Sequence, residues 1–301
     1  MLVLAVDTST PQVTAGLVRV TDSAALEEVA AAGHVDARAH NEVLTPLIRR
    51  CLEEAGAAGV SGGAASEVGA VVVGCGPGPF TGLRVGMATA ASFADAWGIP
   101  AHGACSLDAL VRPGGVPAAG DVVAVTDARR REVYAAAYRD GERVWGPAVL
   151  AAADCSDAVF EAVPDFALAE LIGDESKCAE VAAAFTLGDV SDRAEPRVTA
   201  AYPTAAGLVS AAVAELALEH DDDGAPSDAA SAFRATDALA SSAAPLVPLY
   251  LRRPDATPPK PKPKSPAIPD MNLDAGGDAK AGANAGSDTD AAADSSAPEA
   301  Q

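Results

Sequence analysis

The residues best suited to chemistry lie in two short stretches. Asp7-Thr8-Ser9-Thr10 closes the first apolar run, and Gly74-Cys75-Gly76-Pro77-Gly78-Pro79-Phe80-Thr81-Gly82 follows another. A carboxylate beside hydroxyls can orient Mg²⁺ and phosphate, or it can simply cap a β-turn. Glycines let backbone N–H groups converge, and a helix N-terminus is partly positive, so the second stretch can hold a phosphate or make a tight structural turn. It is neither a Walker loop, because no Lys follows, nor the dinucleotide fingerprint, because Pro79 stands where that pattern needs Gly.

Other constellations are weaker. Gly59-Val60-Ser61-Gly62-Gly63 fits the G-x-S-x-G pattern but lies in an Ala/Gly loop between a helical and a strand pattern, not in the strand–turn–helix context a nucleophile needs. The histidines His34, His40, His102 and His220 are never spaced i, i+4, which argues against an ordinary zinc site. Asp127-Ala128-Arg129-Arg130-Arg131-Glu132 is a charged turn, readable as an anion-binding cluster or as a solvated hairpin tip.

The elements that would position these groups alternate in type. Strands are predicted at Leu2–Asp7, Val13–Val20, Ala70–Gly76, Val122–Asp127, Glu132–Arg139 and Arg143–Leu150, with a short strand-like piece at Leu246–Arg252. A helix is predicted over Arg38–Gly56, where Leu44, Leu47, Ile48, Cys51, Leu52 and Ala55 recur at helical spacing. Thr81–Trp97 reads as a helix with Thr81 as N-cap and Gly98 after its end. Pro203–His220 reads as a strongly amphipathic helix. Interleaved strands and helices make an α/β or mixed α+β protein. Within the second helix Gly82, Gly86, Ala90 and Ala94 share one face. That ridge either packs internally or receives a partner helix, and it is expected to be the docking face.

With 301 residues the chain is long enough for two domains, or one with a tail, at roughly 100–200 residues per domain. Its 42 acidic against 21 basic residues give a net charge of −21, which opposes bare nucleic acid and anionic membranes. Apolar residues reach 49% but aromatics only 4%, so the core must be Ala, Val and Leu. Five scattered cysteines without a C-x-x-C pair fit a reducing cytosol. The start, MLVLAVDTST, has neither the basic region of a signal peptide nor the length of a membrane span. Residues 254–301 open on PDATPPKPKPKSPAIP and continue in Ala, Gly, Asp and Ser, a composition expected to be disordered. The 220–244 stretch reads as a loop or insertion. No internal repeat is evident.

Taken in order, GCGPGPFTGLRVGMATAASFA, the initial LAVDTST, AHNEVLTPLI, CSLDAL, VTDARRREVYAAAY and PLYLR resemble the signature of the TsaB (YeaZ) family across about residues 1–253. The resemblance implies an actin-like (ASKHA) fold of two RNase H-like lobes. The first lobe would span residues 1–105, with helix 203–220 packing back on it. The second would span 106–202, followed by a loop and final strand at 221–253 and the tail at 254–301. It also implies work in threonylcarbamoyladenosine formation beside the anticodon of ANN-decoding tRNAs. There the chain would be a non-catalytic subunit that activates a TsaD-like transferase. A TsaE-like ATPase joins, tRNA is held through the complex, the chain dimerises when alone, and the setting is cytoplasmic.

By this resemblance Asp7, Ser9, Gly76, Gly78 and Thr81 form a nucleotide- or phosphate-loop remnant, and Leu44, Leu47, Gly82, Arg84, Gly86, Ala90 and Ala94 the partner interface. No cofactor of its own is implied; ATP or ADP belongs, if anywhere, at the complex interface. The catalytic paralogue carries an H-x-x-x-H metal site whose two positions align here with Cys105 and Ala109. Ala has no ligand atom, and one Cys cannot hold iron or zinc, so no metal is expected. Where the paralogue has a Ser-Gly-Gly loop, this chain has Asp127-Ala128-Arg129, with a carboxylate facing any phosphate. The competing reading is an active metal- or ATP-dependent transferase or peptidase of the same superfamily.

Overall fold

The computed structural model describes residues 1–36, 40–56, 68–186, 195–222, 233–241 and 243–252. The Gly59–Gly63 motif, residues 223–232 and 242 of the expected 220–244 loop, and the 254–301 tail lie outside the described residues; within that expected loop Ala235–Ala240 is instead helical.

Two five-stranded sheets share one topology. In the first, β1 (Leu2–Asp7), β2 (Gln12–Val20), β3 (Leu26–Val35), β4 (Val68–Gly74) and β5 (Ala101–Ala104) run in the order β3-β2-β1-β4-β5. β2 and β3 are antiparallel ribbons, whereas β4 and β5 add parallel to β1. The parallel crossovers are helices, α1 (His40–Glu54) before β4 and α2 (Phe80–Trp97) before β5. The second sheet repeats the plan. β6 (Asp121–Asp127), β7 (Glu132–Arg139), β8 (Glu142–Ala151), β9 (Leu168–Gly173) and β10 (Arg197–Ala200) run β10-β9-β6-β7-β8, with α4 (Cys155–Ala162) and α5 (Glu175–Thr186) as crossovers. The repeat is one of topology, with no matching sequence period.

Strand alternation builds two cores on the first sheet. Leu2, Leu4 and Val6 join Leu44, Ile48, Cys51, Ala90 and Ala94 beneath α1 and α2. Val3 and Ala5 face the other way, onto Leu208 and Val209 of α6 (Ala205–Asp222). The predicted amphipathic character of that last helix is corrected. Residues 205–213 are buried without interruption, because α6 is covered by the sheet on one side and by α3 (Ser106–Leu110) and the turn after it on the other. Small residues make this possible: a Cβ at Gly207 would overlap the carbonyl of Ala109.

The second sheet likewise buries Val123 and Val125 under α4 and α5, and Val122 and Ala124 under α3. Leu246–Arg252 pairs with no strand. It is an extended strap after α7 (Ala235–Ala240), tied by the Leu249 N–H to the Cys75 carbonyl at 2.8 Å, and Leu249 and Leu251 pack in the second lobe. Among the described residues no helix is long and apolar enough to cross a membrane.

Candidate functional site

β1 delivers Asp7 into a turn whose four residues, Asp7 to Thr10, are all buried. Asp7 Oδ1 accepts the Ser9 N–H at 2.8 Å and the Ser9 hydroxyl at 2.7 Å, and Oδ2 accepts the Ser106 hydroxyl at 2.6 Å. Ser106 opens α3, and its hydroxyl also receives the Gly76 N–H at 3.3 Å. Burial pushes the Asp7 carboxyl above its ordinary value, and the bonds from Ser106 and Ser9 pull it only part of the way back. The Gly/Pro stretch closes over this network. A Cβ at Gly74 would overlap Asp7 Oδ2, and one at Gly78 would overlap the Ser9 backbone.

The inter-lobe cleft therefore lacks Asp7. Ser9, Thr10, His40, Thr81, Thr126 and Asp127 are among its lining residues, and its volume is about 170 Å³. Ligand pockets usually begin near 300 Å³. The residues do not fit a nucleotide: the metal-orienting carboxylate is consumed, the Gly loop is packed on Ser9, and Asp127 brings a negative charge. Of the remnant residues, Asp7, Ser9, Gly76 and Gly78 lie together in buried packing, while Thr81 is exposed. Thr81 is not the N-cap either. α2 begins at Phe80 behind Pro79, without a side-chain cap, and ends at Gly98 in the left-handed region. Thr126 Oγ1 is buried with no partner.

The two positions aligned with the paralogue's histidines do not converge: Cys105 borders a cavity of about 420 Å³ with His102, Arg143 and Glu215, and Ala109 is not part of its lining. Cys105 packs with Leu107, Leu110 and Tyr138, and Ala109 faces the opposite core beside Val72 and Ala212. Burial pushes the Cys105 thiol up to about 12, with Asp108 adding to it. Among the described residues no three His, Cys, Asp or Glu side chains are grouped to hold a metal ion.

The small-residue ridge of α2 is corrected from a docking face to an internal one. Cβ atoms at Gly82 and Gly86 would strike Thr8, Thr8 Oγ1 donates to the Gly82 carbonyl at 2.7 Å, and Ala90 and Ala94 are core residues. Leu44 is likewise 1% exposed. These five interface residues are spent on the chain's own first sheet. Leu47 is half-buried at its margin and Arg84 is exposed.

The outward stripe of α2 runs through Thr81, Arg84, Ala88, Ser92 and Asp95. At its start Arg84 lies 3.9 Å above the Phe80 ring, Phe80 stacks on Tyr250 with centroids 4.8 Å apart, and Arg84 Nε donates to the Tyr250 hydroxyl at 3.1 Å. Phe80, Tyr250 and Ser106 escaped the residue-level reading. Their partners are distant in sequence, and the only signal was their place inside the motifs.

The charged turn is a β6–β7 hairpin tip. The Glu132 N–H returns to the Arg129 carbonyl at 3.0 Å, and Arg129, Arg130 and Arg131 have φ of 65°, 53° and 67°. Arg130-Arg131 thus occupies the centre of a type I′ turn, where Asn-Gly is preferred. Left-handed backbone costs a non-glycine residue about 1–2 kcal/mol. Arg129 N–H donates to Asp127 Oδ1 at 3.0 Å, and Arg252 Nη1 lies 2.9 Å from both the Ala128 carbonyl and Glu132.

Comparison with known proteins agrees with this architecture. The family model described as TsaD, tRNA N6-adenosine threonylcarbamoyltransferase, matches residues 32–251. The Mycobacterium tuberculosis protein Rv3421c is 45% identical over 256 residues, which is 85% of this chain and 94% of that one. The structure of YeaZ from Pseudomonas aeruginosa superposes with a TM-score of 0.54 at 25% identity, over 83% of this chain and 99% of that chain. A second Pseudomonas aeruginosa structure, described as similar to peptidase YeaZ, gives 0.52 at 26% identity over the same shares. The chain belongs to the TsaB (YeaZ) family, within the wider family described by the tRNA N6-adenosine threonylcarbamoyltransferase TsaD.

Proposed function

We propose that this chain is the non-catalytic subunit of a tRNA threonylcarbamoyladenosine system and that it binds and activates a TsaD-like transferase. The observation that carries this reading is the pair Cys105 and Ala109, which offer an inert buried thiol and a methyl group, in separate apolar cores, where the paralogue has two histidines. The closed cleft beside Ser9 and Asp127 supports it, since a transferase acting alone would need room there for a substrate. A TsaE-like ATPase joins the pair in the cytoplasm. ATP or ADP, where required, binds at the interface of the complex, and most of the tRNA is held by the partner.

The docking face in this reading is the outward stripe of α2 with the adjoining edge of α1. Arg84 and Leu47 remain in it, and Ala88 and Ser92 supply the close approach first assigned to the inner ridge. Two such helices from each subunit make a four-helix contact. The same face would serve a homodimer of the isolated chain and exclude it once the partner is bound.

Deletion in the native cells with mass spectrometry of tRNA nucleosides tests the function. Modified adenosine should vanish, return with the wild-type chain, and fail to return with a chain that cannot bind the partner. Transfer of the threonylcarbamoyl group to tRNA by the purified chain alone overturns the non-catalytic reading.

A further inference from the structure

We propose that the cavity beside Cys105, bordered by β5, α6, β8 and the strap after α7, binds an aliphatic diamine or polyamine, a hydrocarbon chain carrying separate ammonium groups.

Its volume, about 420 Å³, lies in the range of small-molecule pockets, unlike that of the inter-lobe cleft. Much of its lining is apolar, with Leu216 from α6, Leu246 and Leu249 from the strap and Pro147 from β8. Its charged and imidazole groups are His102, Arg143, Glu215 and Glu219.

These charges do not balance. Arg143 Nη1 lies 3.3 Å from Asp108 Oδ1, so its charge is matched within the chain. Glu215 and Glu219, one turn apart on α6, have no hydrogen bond or ion pair with any described residue. The helix itself does not call for them. Like charges at i, i+4 repel, and Glu219 lies in the last turn, where the helix dipole disfavours a negative charge. Burial, with Asp108 and Glu219 adding to it, holds the Glu215 carboxyl above its ordinary value, and Arg143 offsets this only in part. A cation in the cavity relieves that repulsion.

A buried acceptor adds an independent observation. His102 is 5% exposed and its ring lines the cavity. Nε2 lies 2.8 Å from the Leu239 carbonyl, which can only accept, so Nε2 carries the hydrogen. Nδ1 is then a lone-pair acceptor with no partner among the described residues. Burial lowers the pKa of this ring, which keeps it neutral and Nδ1 free to accept. An ammonium group is the complement of such a lining, because it donates three hydrogens and accepts none.

The spacing selects the kind of cation. His102, Glu215 and Glu219 are not grouped closely enough to share one metal ion. The ligand that fits carries its charges at separate points and joins them by hydrocarbon, which the leucine and proline side chains of the lining would cover.

The test titrates the full chain with 1,4-diaminobutane by calorimetry at low salt, with n-butylamine, 1,4-butanediol and Mg²⁺ as comparisons. One diamine should bind per chain, n-butylamine should bind roughly tenfold more weakly, and the diol should not bind. The ¹⁵N resonance of His102 Nδ1 should move as the diamine binds. Glu215→Gln/Glu219→Gln changes two exposed side chains, so it should keep the wild-type melt while weakening the diamine by roughly tenfold or more. Glu161→Gln, exposed on α4, should leave binding unchanged. Absence of saturable diamine binding by the wild-type chain overturns the inference. So does undiminished binding by the double variant, or a His102 signal that stays in place at saturation, since either puts the cation elsewhere. Displacement of the diamine by Mg²⁺ at equal charge also overturns it, by reducing the site to a diffuse counterion effect. None of these outcomes depends on the function proposed above, which is read from tRNA nucleosides.

Discussion

The Ser106 hydroxyl donates to Asp7 Oδ2 at 2.6 Å across 99 residues of chain, and the same hydroxyl accepts the Gly76 N–H. One side chain at the start of α3 thereby ties the end of β1 to the Gly/Pro stretch before α2. The residues that looked like a phosphate grip are instead the fastening of three elements. Ser106→Ala should leave a buried carboxylate oxygen and a buried N–H without that partner and cost about 1–3 kcal/mol in urea unfolding. A loss below experimental error would mean the network is dispensable.

Asp7 should respond to pH in a defined direction. Its folded pKa is raised chiefly by burial, so the folded state binds this proton more readily than the unfolded chain does. The stability it contributes is fully present below the unfolded value, 3.8, and is lost as pH rises through the raised folded value. Asp7→Asn cannot titrate, so its disadvantage relative to wild type should be smaller at neutral pH than at mildly acidic pH. Paired denaturant titrations across that range measure the trend, and the opposite slope would mean that hydrogen bonding to the ionised form outweighs burial.

The two faces of α2 should separate cleanly. Ala90 is 0% exposed among Leu4, Val71 and Ile48, so Ala90→Arg should prevent stable folding, seen as lost cooperativity in thermal melts. Ala88 is exposed, and Ala88→Arg should keep stability within about 0.5 kcal/mol while abolishing partner binding in light scattering. Intact binding by a folded Ala88→Arg chain moves the interface elsewhere.

Tyr250→Ala should detach the strap from α2 and cost about 1–2 kcal/mol, through lost ring stacking on Phe80 and the lost bond from Arg84. Tyr250→Phe keeps the stack and should recover most of it. Equal losses in the two variants would assign the effect to the hydroxyl alone.

The thiols should be inert in the native chain. Cys105, Cys155 and Cys178 are pushed up to about 12, and Cys51 and Cys75 to about 11, in each case mainly by burial. Alkylation near neutral pH, followed by intact mass, should stay near zero until denaturant is added. Rapid native labelling of Cys105 would contradict its packing.

What the residues alone determine is the set of local elements with strong patterns. The continuous apolar runs of Leu2–Asp7 and Glu132–Arg139 and the helix ending at Gly98 follow from short-range sterics and apolar patterning, whereas the left-handed turn at Arg129–Arg131 does not. β3 was hidden because LEEVAAAGHV mixes Ala and Glu without clean alternation, and its pairing with β2 comes from the hairpin. β5 and β10, four residues each, hold their place only by adding parallel to a neighbour already in the sheet. α6 misled for a related reason: a helix covered on two sides has no polar stripe to display, so its sequence cannot announce which face is buried.

The candidate site divides along the same line. The motif residues were visible as types and spacings, and Cys105 and Ala109 already argued against a metal. Which way they face was not visible. In α2 small residues occupy both the inner line Gly82, Gly86, Ala90, Ala94 and the outer line through Ala88 and Ser92, so side-chain bulk does not distinguish core from surface. Only the arrival of Thr8 from β1 decides it, by filling the space over Gly82 and Gly86. In the same way Asp7 becomes a buried acceptor because tertiary packing brings Ser106 to it. Contacts between distant segments convert a plausible ligand set into an internal bond and leave the outer stripe of α2 exposed.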